Sequence, residues 1–466
     1  MLPSFAPAIA ANRLGLGARP GELGRLGSDP VGWLNAQLAG RPPVVAGEGL
    51  RSCAEIISQS LDLRREIREA RAAANGDAAA LQAVLKLPQI YRPLYVAETT
   101  ARFRQAVTTD RPFLERLTQF WTNHFAVSVD KLAVLGIAGT LEREAIRPRV
   151  LGSFHELLLA VEQHPAMLLY LDNHISVGPN SQAARFLERG RGKRGAGINE
   201  NLAREILELH TLGVGGGYTQ SDVTTFAEVI TGWSIGGEGG RLPPGEPGEF
   251  MFRPQLHEPG AKVVLGKRYT EGGVEQGEKV LKDIAGKSAT ARFIATKLAR
   301  HFVADEPSPH LIDHVAHAFV SSGGDLPTVY RALTAQPEAW AEPLSKYKTP
   351  SDFILSTFRG LELPVANGRA SLTAFEVLGQ RTYSPASPAG WPDRSDDWNG
   401  ASALMKRIEW ADAVGQRVGG LWSAAELAPQ LLGETLSVNT RTSITRAASA
   451  TQGLTLLLAS PEFMRR

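Results

Sequence analysis

Asn199-Glu-Asn-Leu-Ala-Arg-Glu-Ile-Leu-Glu-Leu-His-Thr-Leu-Gly-Val214 sets the class of the fold. Its apolar residues recur at helical spacing. Asn199 is a good N-cap, Glu200 sits where the helix dipole favours an anion, and Gly213 is a natural stop. At about 3.6 residues per turn, Asn201, Arg204, Glu205 and Glu208 share one face, and Leu202, Ala203, Ile206 and Leu209 the other. The polar face admits two readings. It is a solvated stripe tied by an Arg204–Glu208 pair, or a buried site in which Glu205 and Glu208 reach one metal or act as acid and base. His210 projects away from that face as a core or helix-end histidine. It joins Glu205 only if the last turn is distorted.

Gly215–Gly217 then turns the chain, and Thr219 with Asp222 forms a capping box that starts a second helix over 220–233. A tight glycine turn between two helices suggests a DNA-reading pair, but the second helix holds no Lys or Arg to meet phosphate. Helical periodicity continues on both sides. It predicts helices over 31–40, 51–74, 78–86, 91–108, 111–127, 131–147 and 150–163. Beyond the pair it predicts 272–285, 288–303, 307–321, 325–337, 349–362, 401–418, 423–431 and 440–458. Residues 250–269 hold the best strand candidates, read as a small hairpin turning at His257-Glu-Pro-Gly260. Residues 174–198 and 235–249 read as long Gly-rich loops, the first with one helical turn near 181–188. Ser387-Pro-Ala-Gly-Trp-Pro392 turns the chain or lines a groove.

The expected fold is mainly α: a large, bundle-like, multi-helix body with a small β-hairpin insertion and long Gly/Pro loops. One large helical domain, 1–466, has three sub-regions. These are N-terminal helices (1–173), a motif-bearing loop, helix pair and hairpin (174–270), and C-terminal helices (271–466). The 466 residues are 43% hydrophobic and 21% charged, which fills a sizeable core and excludes a wholly disordered chain. Lys+Arg (50) nearly equals Asp+Glu (48), so charge gives no general argument for nucleic acid or an anionic membrane. No apolar run is long enough for a transmembrane helix. The first residues lack a cationic stretch followed by a long apolar one, so a cytoplasmic start is expected.

The single cysteine, Cys53, excludes an intramolecular disulfide and a Cys-rich zinc site, and reads as a small buried thiol. A metal would use His, Asp and Glu. His124, in Trp121-Thr-Asn-His-Phe125, and His257 complete a candidate divalent-metal set with Glu205 and Glu208. His124 in an aromatic helix equally reads as a satisfied core residue, and His257 as part of a polar turn. His124 or His210 could also serve as an axial ligand to haem, although no CxxCH is present to attach it. Arg189–Gly197 is a basic glycine loop, either solvated or an anion-binding lid through Arg191 and Arg194. HExxH, the di-iron Glu-x-x-His pair, Walker A and GxSxG are absent. The candidate catalytic set is therefore Glu205, Glu208, Arg204 and His124. The candidate substrate-binding set is Asn201, His210, Trp121, Arg191 and Arg194.

Several segments in order resemble one bacterial family, domain of unknown function 1800. They are Asn12-Arg-Leu-Gly-Leu-Gly-Ala-Arg-Pro20, Phe120-Trp-Thr-Asn-His-Phe125, Asn199–Val214, Tyr218–Val223 and Thr231-Gly-Trp233. His257, Lys262, Leu265-Gly266, Lys346-Tyr-Lys-Thr-Pro350 and Ser387-Pro-Ala-Gly-Trp391 follow. The resemblance covers nearly the whole chain and supplies no catalytic residues. It implies a protein partner, because genes of this family often lie beside those of domain of unknown function 1501. That second family resembles sulfatases and alkaline phosphatases and often carries an export signal, so export in company with a partner is also implied. Two functions are expected to compete. One is a hydrolase or transferase acting on a polar or anionic substrate through a Glu/His/Arg site, with or without metal. The other is a non-enzymatic partner or maturation factor for the co-encoded protein.

Overall fold

The computed structural model describes residues 2–74, 78–189, 197–237, 244–341 and 344–466. Helices dominate, and the described strands form two small two-stranded antiparallel sheets. The fold is mainly α, as the periodicity predicts. No helix among the described residues is long and apolar enough to cross a membrane.

Most predicted helices form where the caps place them. Ser153 and Glu156 make a reciprocal capping box ahead of Phe154–Glu162, and Thr349 with Asp352 does the same for Pro350–Gly360. Thr219 and Asp222 start Gln220–Val229 in the same way. Other boundaries move. The spacing predicts a break before residue 91, but Ala78–Thr108 is one helix running through Pro88 and Pro93. A proline removes one backbone donor, and a long helix can absorb its ring by bending. The predicted helix over 131–147 breaks into short turns, and that over 440–458 into Val438–Thr445 and Ala450–Leu458.

The predicted hairpin is corrected. Phe250–Phe252 pairs back to Trp233–Ile235, while Lys262–Val264 pairs with Lys267–Tyr269 across Leu265-Gly266. Both turn residues have positive φ, 50° and 76°, the geometry a two-residue hairpin loop demands. Leu265 is a poor residue for it. The Asp222 carboxylate accepts its N–H at 2.7 Å, so the acid that caps one helix also anchors this turn.

Among the described residues, three helical segments are wound as π-helix: Ala10–Leu14, Leu141–Ile146 and Ile206–Thr211. Each wide turn carries a polar side chain into the interior: Arg13, Glu142 and His210, all 1% exposed or less. Glu142 is held by Arg102 at 2.6 Å and Arg147 at 2.8 Å, and Arg147 grips Glu115 through two further bonds. Burial works against the Glu142 carboxylate, but the two arginines hold it down at about 2.

Among the described residues, two hydrophobic clusters fill the interior. One joins the helix Pro112–His124 to Phe154–Glu162, Gln220–Val229, Ser288–Phe302 and Leu326–Ala335. The other gathers Phe353, Leu427, Leu431, Leu454, Leu457 and Phe463. The N-terminal residues enter both, Leu14 the first and Leu16 the second. A polar cleft lies between elements of the two.

Candidate functional site

The 199–214 segment folds differently from its periodic reading. Asn201–Glu205 is α-helix and Ile206–Thr211 is π-helix. Glu200 occupies the N-cap position, and the Asn199 side-chain oxygen accepts the Asn201 N–H at 2.9 Å. The last turn is thus distorted, and His210 turns inward. Its Nδ1 lies 2.8 Å from Glu162 Oε1, with both side chains fully enclosed. His124 sits above, donating from Nε2 to the His210 carbonyl at 3.1 Å. Burial chiefly, then the nearby Lys297, holds His124 well below the usual histidine range.

Arg204 pairs with Glu200 at 2.9 Å rather than with Glu208. Glu208 accepts the Tyr218 hydroxyl. Glu205 and Glu208 are half-buried and Asn201 is exposed. Burial, reinforced by Glu208, raises the Glu205 carboxyl above its ordinary value. Trp121 is fully buried, its indole N–H donating to the Tyr330 hydroxyl at 2.6 Å. His257 lies away from any hairpin tip, buried, with Nδ1 donating to the Thr231 carbonyl at 3.0 Å. Arg191 and Arg194 fall outside the described residues.

His124, Glu205, Glu208 and His257 are not gathered within metal-binding distance. Among the described residues that condition is met by Cys53, Glu144 and His164 instead. Each of these already has a structural task. Glu144 accepts the Cys53 N–H at the start of a helix, and His164 Nδ1 accepts the Ala166 N–H at the start of another. A neutral His164 therefore carries its proton on Nε2, the atom a metal would need. Burial, with Glu144 beside it, pushes the Cys53 thiol up to about 12, which suits an inert thiol.

The strongest polar constellation lies elsewhere, in a cleft of about 90 Å³. Three of the segments that carry the family resemblance meet there. Thr122 and Asn123 come from the helix Pro112–His124, Thr349 from the start of Pro350–Gly360, and Trp391 and Pro392 from the loop behind Gly390. Asn123 clamps that loop, donating to the Trp391 carbonyl at 2.8 Å and accepting its N–H at 2.7 Å. The approach requires glycine at 390. Its φ is +82°, and a Cβ there would lie 2.3 Å from the Asn123 carbonyl oxygen. Tyr383, also lining the cleft, holds φ 54° and donates to Glu142 at 3.2 Å, a strained residue held by its partners.

The clamped loop delivers Asp393 to His301, on the helix Ser288–Phe302. His301 Nδ1 donates to Asp393 Oδ1 at 2.7 Å, and both side chains line the cleft. The other ring nitrogen, Nε2, is enclosed without a hydrogen-bond partner. Burial lowers His301 below the ordinary histidine value although Asp393 pulls it up. Burial opposes the Asp393 charge, but His301, Lys346 and Lys297 hold its carboxyl at about 2. Lys297 is itself lowered by burial to about 8. Asp352, the second cleft carboxylate, receives Arg116 at 2.8 Å and Arg466 at 3.3 Å. Cations thus surround both acids, with Lys346 shared between Asp393 and the Asp305 carboxylate.

Neither His301 nor Asp393 is marked out locally in the sequence. His301 reads as one more residue beside an apolar stripe of Ile294, Leu298 and Phe302. Asp393 immediately follows the Ser387–Pro392 segment, whose groove-lining reading was the available signal. Glu205 and Glu208 do not line this cleft.

A mainly α-helical protein with a polar cleft built on a histidine–aspartate pair is the class that fold and site define. The family model described as Protein of unknown function (DUF1800) matches residues 9–465, and the chain belongs to that family. No curated protein and no solved structure matches it.

Proposed function

We propose that the protein is a hydrolase or group-transfer enzyme for a polar or anionic substrate, with its chemistry in the Asn123–His301–Asp393 cleft. The observation that carries this reading is the His301–Asp393 bond with Nε2 left unpaired. With Nδ1–H committed to Asp393, the tautomer is fixed and the Nε2 lone pair is free. Burial keeps the ring neutral near pH 7. Such an imidazole takes a proton from water or a substrate hydroxyl as the oxygen bonds to the electrophile, and returns it to the departing group. Asp393 stabilises the imidazolium that forms between these events, and the cations around Asp352 and Asp393 favour a substrate carrying negative charge.

The test is hydrolysis of nitrophenyl phosphate, sulfate and acetate esters by wild type and His301→Asn. Turnover that falls about a hundredfold or more in the variant, at unchanged circular dichroism, supports the assignment. Equal turnover in both places the chemistry outside this cleft. No turnover of any ester by wild type counts against hydrolysis of these three ester classes.

A further inference from the structure

The helix Pro309–Ser321 carries His310, His314 and His317. None of the three lines the polar cleft. We propose that His310 and His314 form a chelating site, on the outside of the molecule, for a divalent transition metal ion of the imidazole-binding class: zinc, nickel or copper.

The local sequence fixes the helix. Ser308 caps it by accepting the Leu311 N–H at 3.1 Å, and Pro309 occupies its first position. Leu311, Val315 and Phe319, four residues apart, are buried, and the helix packs against Ser288–Phe302 and Leu326–Ala335. At about 3.6 residues per turn the three histidines lie within about 60° of one another, away from that apolar stripe. All three are exposed. His310 and His314 are one turn apart, the spacing at which two histidines of one helix hold a single ion. Both side chains are exposed and can turn Nε2 to the same ion. His317 lies about 10 Å along the axis from His310 and is outside the pair.

Glu338, in the short helix Pro337–Ala339, orients the first ligand. His310 Nδ1 donates to Glu338 Oε1 at 3.1 Å. The neutral ring then keeps its lone pair on Nε2, the atom that a metal needs, and the carboxylate behind it makes that nitrogen a stronger ligand. His164 is the reverse case, since its lone pair is spent on the Ala166 N–H. A hydrogen bond from its own backbone N–H, chiefly, holds the Glu338 carboxyl below its ordinary value, so it stands behind His310 as an anion. The His314 ring has no hydrogen-bond or ion-pair partner among the described residues. Asp313, beside it, is already paired with Arg292. The donor set is therefore two imidazole nitrogens completed by water, an open chelate rather than an enclosed cage. It suits zinc, nickel or copper and not magnesium or calcium, which require oxygen ligands.

The experiment is calorimetric titration of the whole protein, purified without a histidine tag, with zinc chloride. Magnesium chloride is the comparison. The expected result is a saturable zinc equivalent, with magnesium at least about tenfold weaker. His310→Ala and His314→Ala should each weaken that equivalent by about tenfold or more. Glu338→Ala, which leaves both ligands in place, should weaken it by about tenfold. His317→Ala should bind as wild type does. The three histidines are exposed, so their variants keep the fold, which circular dichroism checks. No saturable zinc binding by wild type overturns the proposal, as does binding that His310→Ala and His314→Ala leave unchanged. Loss in His317→Ala equal to that in His310→Ala overturns the assigned pair, and magnesium binding as tight as zinc overturns the assigned chemistry.

Discussion

Among the described residues, the two shortest histidine–carboxylate pairs are nearly equal in length. His210 meets Glu162 at 2.8 Å and His301 meets Asp393 at 2.7 Å. The first pair is sealed, with both side chains at 0% exposure; the second lines a cleft, at 12% and 15%. Bond geometry therefore does not separate them, but surroundings do. A sealed pair can only hold the fold together, because nothing reaches it. Both histidines leave Nε2 enclosed and unpaired, so the difference lies in the cleft that the second pair lines: only there can something enter beside the pair. The motif that stands out in the sequence, Asn199–Val214, supplies the sealed histidine, whereas the quieter 288–303 helix supplies the open one.

The largest effect should come from the sealed pair. His210→Ala leaves Glu162 enclosed without its partner, and loss of one member of a buried pair costs about 3–5 kcal/mol. His301→Ala leaves Asp393 near solvent and among Lys346 and Lys297, so about 1–2 kcal/mol is expected. Urea denaturation of the two variants measures both. Equal losses would break the comparison and make His301 as structural as His210. Next in size is Asn123→Ala, which removes the two-bond clamp on Trp391. A loss of about 1–3 kcal/mol is expected, together with reduced ester turnover, since Asp393 follows the clamped loop. Unchanged turnover would show that the loop holds its place without Asn123.

Acid should sharpen the contrast further. His124 and His301 are both held below 6.5 in the folded protein, chiefly by burial. Below that pH the unfolded chain takes up protons that the folded chain does not. Stability is therefore full above pH 6.5 and is lost as pH falls through it. His124→Asn and His301→Asn should each flatten the fall between pH 7 and 5. Turnover has its own signature in the cleft. It should fall on the acid side as His301 is protonated, and change again near pH 8, where Lys297 loses its charge. Lys297→Met should remove that alkaline limb while the acid limb stays.

Much of the architecture is legible locally because helices and caps are local. Thr219-Gln-Ser-Asp222 announces a helix start, and its capping box forms. The π-turns are not legible, because an extra residue per turn leaves the apolar spacing of Ile206–Thr211 almost unchanged while rotating His210 to Glu162. The strand exchange at 250–269 is hidden for a similar reason. Three-residue strands carry too little alternation to name their partners, and the turn falls on Leu265, an unfavourable residue kept there by Asp222. The His301–Asp393 pair spans 92 residues, so no spacing rule reaches it. What could be read was indirect: the resemblance segments around Asn123, Thr349 and Trp391, which converge on the same cleft.

The smallest expected effects lie on the helix face that the sequence puts forward first. Glu205 is raised by burial and by Glu208, so at pH 7 its charge opposes folding. Glu205→Gln should leave stability the same or slightly greater, where loss of a metal ligand or an essential ion pair would lower it. Glu208→Ala forfeits one hydrogen bond, from Tyr218, and should cost no more than about 1 kcal/mol. Elemental analysis of protein purified without a histidine tag makes the test decisive. Because Glu205 and Glu208 are not gathered with His124 or His257, the metal content of wild type and of the Glu205→Ala, Glu208→Ala double variant should agree. A stoichiometric metal present in wild type and absent from the double variant would require this face to rearrange around an ion. The comparison would then reverse: the helix ending in the sealed histidine would carry the chemistry, and the His301–Asp393 pair would brace it.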